Sequence, residues 1–216
     1  MEVAIDYLAR WGHYLAGLTW VGLLYYFNFV QGSYFKEAGA GARVDAFTKL
    51  VPRALWWFRW AAMFTFLTGL ILLAHRVGHW TLDISLGALM GTLMFLNVWL
   101  IIWPQQKIVI ASNEQIKAGG EPLESAAGAA AKALLASRSN TCLSLPMLFF
   151  MGSSAHLPHG DFNPTGAGFL VCALIIAGIE LNALFGKQGP LETVSGVITS
   201  GFVLTAVLWA VVRLLG

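Results

Sequence analysis

Charge is what this sequence has least of. Only 11% of its 216 residues are Asp, Glu, Lys or Arg, against about 25% in an ordinary soluble domain. So thin a polar complement cannot clothe a surface that faces water all round. The 13 basic and 11 acidic residues leave a net charge of +2. No basic arm stands out, so nucleic acid is not an expected partner. Cysteine is nearly absent. Cys142 and Cys172 stand alone, and no CxxC or CxxCH occurs, which removes a zinc knuckle and a covalently attached c-type haem from this stretch of chain. Both cysteines fall in predicted spans on different helices, where core packing is favoured over a disulfide.

What fills the sequence is apolar: 57% of residues, with a mean hydropathy of +0.69. Runs long enough for a bilayer core, about 20 residues each, recur throughout. In hydrocarbon the backbone must satisfy its own polar groups, and runs this long and uniform select helices over barrel strands. The expected fold is all-α: a single transmembrane domain over 1–216, with spans at 10–31, 54–75, 83–104, 139–156, 165–185 and 192–214. The first run is aromatic and lacks a small-residue cleavage site, so it is expected to be retained. Breaks are predicted at Pro52, Pro104, Pro158–Gly160 and Gly186–Pro190. Segment 105–138 is the one long connection, and its stretch LESAAGAAAKALLASRS predicts an extramembrane helix.

Six spans place both termini on one side. Lys36, Arg43, Lys49, Arg53, Lys107, Lys117, Lys132, Arg138 and Lys187 then fall on the loop side, and Arg10, Arg76 and Arg213 on the other. The excess of Lys and Arg marks the loops as cytoplasmic and the termini as outside, in a multi-pass membrane protein. This topology gathers all five histidines, His13, His75, His79, His156 and His159, at the outer face.

A b-type haem bridging two helices needs two imidazoles at matched depth, with small residues where the macrocycle meets the backbone. Helix 1 reads His13-Tyr-Leu-Ala-Gly17 running inward, and helix 4 reads Gly152-Ser-Ser-Ala-His156 running outward. In each, a glycine lies one turn deeper than the histidine on the same face. His13 and His156 are therefore the expected axial pair, with Gly17 and Gly152 as cradle and His75 as substitute or supporting residue. The competing readings are simple interhelical hydrogen bonding and a copper or zinc site from His75, His79, His156 and His159.

Deeper in the bundle, Arg59 and Glu180 fall at similar depth near the loop side. Charges in lipid usually pair, so an Arg59–Glu180 ion pair is expected, either as a proton or quinone-headgroup site or as a structural clamp. Asn28, Asn97 and Asn182 lie in the inner halves of helices 1, 3 and 5. GLLYYFN and GTLMFLN share Gly-x5-Asn at an offset of 69 residues, which predicts a repeated two-helix unit with amide bonds between helices. Met90, Met94, Met147 and Met151 read as core filling. Trp56, Trp57 and Trp60 read as an interfacial belt.

Four stretches together, WGHYLAGLTWVGLLYYFNFVQ (11–31), RALWWFRWAAMFTFLTGL (53–70), MGTLMFLNVWLIIWPQQ (90–106) and SNTCLSLPMLFFMGSSAH (139–156), resemble the membrane domain of the bacterial urate hydroxylases. Helix 1 is more distantly similar to membrane protoporphyrinogen oxidases that bind haem b. The first resemblance covers about residues 10–156 and thins over the last two helices. It implies oxidation of urate to 5-hydroxyisourate with electrons passed to a c-type cytochrome, and places His13, His156, Arg59 and the WPQQ turn on family motif positions. That family's usual form adds a C-terminal cytochrome c domain. Without a CxxCH here, electrons are expected to leave through a separate redox protein. The other reading is a non-catalytic haem-carrying or anchoring subunit of a larger respiratory or dehydrogenase complex.

Overall fold

The computed structural model describes residues 2–216, and among them the architecture is six helices with no strand. Helix α1 runs Glu2–Tyr25, passes through a wide π-helical turn at Tyr26–Gln31 and continues as Gly32–Glu37. Helix α2 is Ala40–Ala74 and α3 is Leu82–Lys117, with a second π-helical turn at Asn97–Ile102. Helices α4, α5 and α6 are Ala126–His156, Ala167–Phe185 and Val194–Leu215.

Several predicted breaks are not breaks. Pro52 sits inside α2, and Pro104 follows the π-helical turn of α3 without ending it. A proline removes one backbone donor. At Pro104 the hydrogen-bond ladder is already shifting register, so little further is lost. The connection expected over 105–138 shrinks to residues 118–125, because the helix-forming stretch is the first half of α4 rather than a separate element.

At 35 residues, α2 is about 50 Å long, well beyond a hydrocarbon core of about 30 Å. Its charged first turns, the end of α3 and the start of α4 project together at one end of the bundle. Lys117 Nζ, at the close of α3, donates to Thr48 Oγ1 of α2 at 3.4 Å. We call this the long-helix end and the opposite one the histidine end.

Four helices, Ala40–Ala74, Leu82–Lys117, Ala167–Phe185 and Val194–Leu215, are long and apolar enough to cross a membrane. Helix α4 falls short for a physical reason. From Arg138 to Ser144 every residue is buried, so this helix runs through protein and can carry serine, threonine and asparagine where a lipid-facing helix cannot. The large apolar side chains left on the surface, such as Leu100, Leu174, Phe185 and Phe202, suit contact with lipid tails. Trp56, Trp57 and Trp60 are also exposed, as a belt requires.

The core runs through all six helices, where Leu24, Phe58, Leu86, Met90, Met94, Leu143, Phe150, Ile176 and Leu208 are buried. Helices in a bilayer associate through close packing of small residues. A Cβ on Gly168 of α5 would lie 2.9 Å from Gly216 Cα at the end of α6, so only glycine permits that approach.

The predicted repeat has a structural counterpart. Helix α1 packs chiefly on α2 and α3 chiefly on α4. The two π-helical turns contain Asn28 and Asn97 respectively, and each closes with the same wide bond, Gly32 N–H to Phe27 O and Trp103 N–H to Val98 O. Asn182 departs from the pattern: its side chain ties down residue 187 after α5 instead of reaching another helix.

Candidate functional site

At the histidine end, the loop after α4 folds back over the start of α3. Phe162 N–H donates to Trp80 O at 2.8 Å and Leu82 N–H to Gly160 O at 3.0 Å. Gly160 has φ of +115°, a conformation glycine tolerates and other residues resist. The fold-back delivers His159 to Asp83, whose carboxylate is fully buried. Asp83 accepts from His159 Nδ1 at 2.7 Å, from His159 N–H at 2.8 Å, and from the Ser153 hydroxyl. On the far side of the ring, Trp209 Nε1 of α6 lies 3.0 Å from His159 Nε2. An indole nitrogen only donates, so Nε2 accepts and the single ring proton sits on Nδ1. This network ties α3, α4 and α6 together with every imidazole valence filled.

That bonding sorts the histidines. His159 has no nitrogen left for a ligand. His75 is exposed, and its Nδ1 bonds its own helix at Ile71 O, 2.8 Å away. His13 Nδ1 lies 3.1 Å from Thr68 Oγ1, and that hydroxyl donates to Phe64 O at 2.6 Å. Thr68 is therefore the acceptor, His13 carries its proton on Nδ1, and Nε2 keeps its lone pair. His156, exposed at the end of α4, makes no hydrogen bond among the described residues.

A metal-bound histidine usually has its other nitrogen held by the protein. His13 meets that condition and fits a haem at its free Nε2, whereas the exposed ring of His156 has nothing among the described residues to orient it. Gly152 also fits, since a Cβ there would meet nothing within 4 Å. Gly17 does not open a slot: its nearest neighbour is Thr65 of α2, 3.9 Å from an added Cβ. The face of α1 that holds His13 and Gly17 lies on α2, with the imidazole seated over Gly69. No group of three or more His, Cys, Asp or Glu gathers for a metal ion among the described residues.

Nearer the long-helix end, the bundle interior is polar. Asn97 Nδ2 donates to Asn140 Oδ1 at 2.9 Å and to Glu180 Oε2 at 3.0 Å, and Asn140 Nδ2 donates to Met94 O at 2.9 Å. Asn28 Nδ2 donates to Leu24 O at 2.9 Å and to Ser137 Oγ at 2.8 Å. Tyr25 and Ser144 are 2.9 Å apart. Helix α4 is thus the polar axis, gripped by one asparagine from each π-helical turn.

The expected Arg59–Glu180 ion pair is absent. Glu180 is held by Asn97 instead, while Arg59 stacks its guanidinium 3.7 Å from the centre of the Trp103 ring. A flat, weakly hydrated cation gains from an aromatic face, so Arg59 has a partner that charge matching alone does not foresee. Arg138, expected on a loop, is buried within α4 at 5% exposure.

Sequence reasoning missed Asp83, Ser153 and Trp209. The one available signal was an aspartate beside the threonine cap at the start of a membrane-length helix, since a carboxylate entering lipid needs donors from elsewhere. Met151 lies over Gly87 as core filling, and both cysteines are free.

A protein-family model described as "Urate oxidase N-terminal" matches residues 81–213. The matched region takes in α3 to α6, including the last two helices where the sequence resemblance had thinned. It contains Asp83, Asn97, Arg138, His156, His159 and Glu180, and leaves out His13, Gly17, Arg59 and His75. No curated protein and no solved structure matches the chain.

Proposed function

The chain belongs to the urate oxidase N-terminal family, and from that premise we propose that it is a membrane redox module of the urate hydroxylase type. In this reading urate takes up the oxygen of a water molecule to give 5-hydroxyisourate, releasing two protons and two electrons. The electrons leave to a c-type cytochrome, or another redox subunit, at the outer face of the bacterial inner membrane. A haem b held by His13 and His156 would supply one-electron relay.

The polar axis along α4 carries the reading. Asn140 and Thr141 are hydrogen-bonded at its centre, but Arg138 and Ser139 are buried there with polar atoms that lack a partner, a cost that an anchoring bundle has no need to carry. A bundle that receives a polar substrate and moves protons needs such an interior. Thr68 holds the His13 ring in one tautomer, and Asn97 with Asn140 keeps Glu180 oriented as a proton-accepting group. The position of His13 and Arg59 outside the matched residues favours a second reading, a haem-carrying or anchoring subunit whose chemistry lies in a partner.

Two measurements on protein in lipid nanodiscs decide. Dithionite reduction is expected to give a b-type visible band, and urate is expected to reduce added cytochrome c. A band without urate-dependent reduction selects the accessory subunit. Absence of both removes the redox reading.

A further inference from the structure

Residues 46–82 and 84–113 contain no aspartate or glutamate, yet they carry Lys49, Arg53, Arg59, Arg76 and Lys107. These stretches make up most of α2 and α3, which pack together toward the long-helix end. There the two helices bring two of the cations onto one indole. The Arg59 guanidinium lies 3.7 Å from the centre of the Trp103 ring, and Lys107 Nζ lies 5.7 Å from it. Neither makes an ion pair among the described residues. An aromatic face attracts each cation without neutralising either, and like charges gathered on one ring repel. The arrangement calls for an anion from outside the chain.

Depth decides which anion. At 1.5 Å per residue, Arg59 lies about 25 Å along α2 from Arg76, and Trp103 about 30 Å along α3 from Asp83. A hydrocarbon core is about 30 Å thick. Trp103 then sits at the boundary, with Arg59 about one turn inside it and Lys107 about one turn outside. Both side chains are long enough to meet at the level of lipid phosphates. Nε and Nη1 of Arg59 are buried, which leaves Nη2 as the accessible guanidinium nitrogen, and Lys107 is exposed.

The flank of this site is apolar. Trp60 of α2 packs edge-on against Trp99 of α3, and Trp56, Leu96 and Leu100 are exposed beside them. A free phosphate would leave that flank unused. A zwitterionic lipid would suit it, but would bring an ammonium group that no carboxylate on these two stretches answers. A phosphodiester that carries a neutral glycerol meets both conditions. Basic pockets between helices at a membrane surface take anionic headgroups in this way.

We propose that Arg59 and Lys107 hold the phosphate of an anionic phospholipid of the phosphatidylglycerol class, with its acyl chains along the exposed α2–α3 surface at Trp60, Leu96 and Leu100. This site stands apart from the redox reading and does not rest on it.

The test is native mass spectrometry of the purified protein in a neutral detergent, titrated with dioleoylphosphatidylglycerol, dioleoylphosphatidylcholine and inorganic phosphate. One phosphatidylglycerol is expected to be retained about twentyfold more tightly than phosphatidylcholine, and excess phosphate should not displace it. Lys107→Gln should lower phosphatidylglycerol affinity about fivefold, the effect of one cation near a lipid surface. Arg59→Gln combined with Lys107→Gln should bring it to the phosphatidylcholine level. Lys107 is exposed, so its single variant keeps the claim refutable if the double variant does not fold. Lys187, an exposed cation just past α5 at the same end of the bundle, is the control, and Lys187→Gln should change nothing.

Equal retention of the two lipids by the native protein overturns the site, as does undiminished phosphatidylglycerol affinity in Lys107→Gln. A loss in Lys187→Gln as large as in Lys107→Gln overturns it in favour of diffuse surface charge. Displacement of the lipid by phosphate at equal concentration overturns it in favour of a free-anion site.

Discussion

Asp83 and His159 meet at 2.7 Å across a sequence separation of 76 residues, with the carboxylate fully buried. The contact is the point where the loop after α4 is fastened to the start of α3. Removing the imidazole takes one of three donors from the buried carboxylate, which keeps the Ser153 hydroxyl and the residue-159 N–H, at a cost of about 1.5–3 kcal/mol. His159→Ala is expected to lower stability by that amount in detergent-solubilised protein. Trp209→Phe, which removes one neutral hydrogen bond, should cost about 1 kcal/mol. Equal unfolding temperatures for the two variants would contradict the network.

The tautomer assigned to His13 has a spectroscopic consequence. His13→Ala and His156→Ala are expected to abolish a b-type band, whereas His75→Ala should leave it intact. Thr68→Val should retain the band with a shifted reduction potential, because the ring loses the acceptor that orients it. A band that survives His13→Ala would remove that residue from the ligand set.

Around Glu180 the prediction is asymmetric. Asn97→Leu removes the amide that serves Asn140 and Glu180 together, and stranding buried acceptors costs about 1–3 kcal/mol each. Glu180→Gln keeps an oxygen for Asn97 Nδ2 and should change stability by less than about 1 kcal/mol. Denaturant titration of both variants checks this, and a larger loss from Glu180→Gln would refute it.

Glycine substitutions separate packing from open surface. A Cβ at Gly201 would lie 3.1 Å from Leu145 Cδ1 and 3.2 Å from Cys142 O. Gly201→Ala is thus expected to cost about 1–3 kcal/mol through overpacking. Gly152 has no neighbour within 4 Å of an added Cβ, so Gly152→Ala should leave stability unchanged or slightly raised. Thermal unfolding in one detergent compares them, and an undisturbed Gly201→Ala protein would contradict the α4–α6 contact.

Helices were legible because hydrocarbon leaves the backbone one economical solution, and the runs around α2, α3, α5 and α6 announced themselves by length. Their ends were less so. Pro52 and Pro104 look like stops, yet a helix held by neighbours tolerates a missing donor, as α2 and α3 do. The family was visible in the multi-residue motifs, though the matched region sits toward the C-terminal side of the stretch those motifs marked. Site chemistry was partly hidden. Matching opposite charges paired Arg59 with Glu180, whereas the guanidinium lies on Trp103 and the carboxylate on an asparagine, because dispersion and amide donors compete with Coulomb attraction at short range. Asp83 was overlooked because its partners come from segments remote in sequence.

The paired wide turns bear on what this chain tolerates. Each holds one residue more than a regular ladder would use, so its helix can lose a single position there and heal into an unbroken coil. Such a deletion within Asn97–Ile102 would remove the residue that the wide turn absorbs, so Trp103 and Gln106 would keep their headings while α3 closed into a regular helix. The two surplus positions are therefore where α1 and α3 can change length by one residue without re-aiming the helical faces that follow.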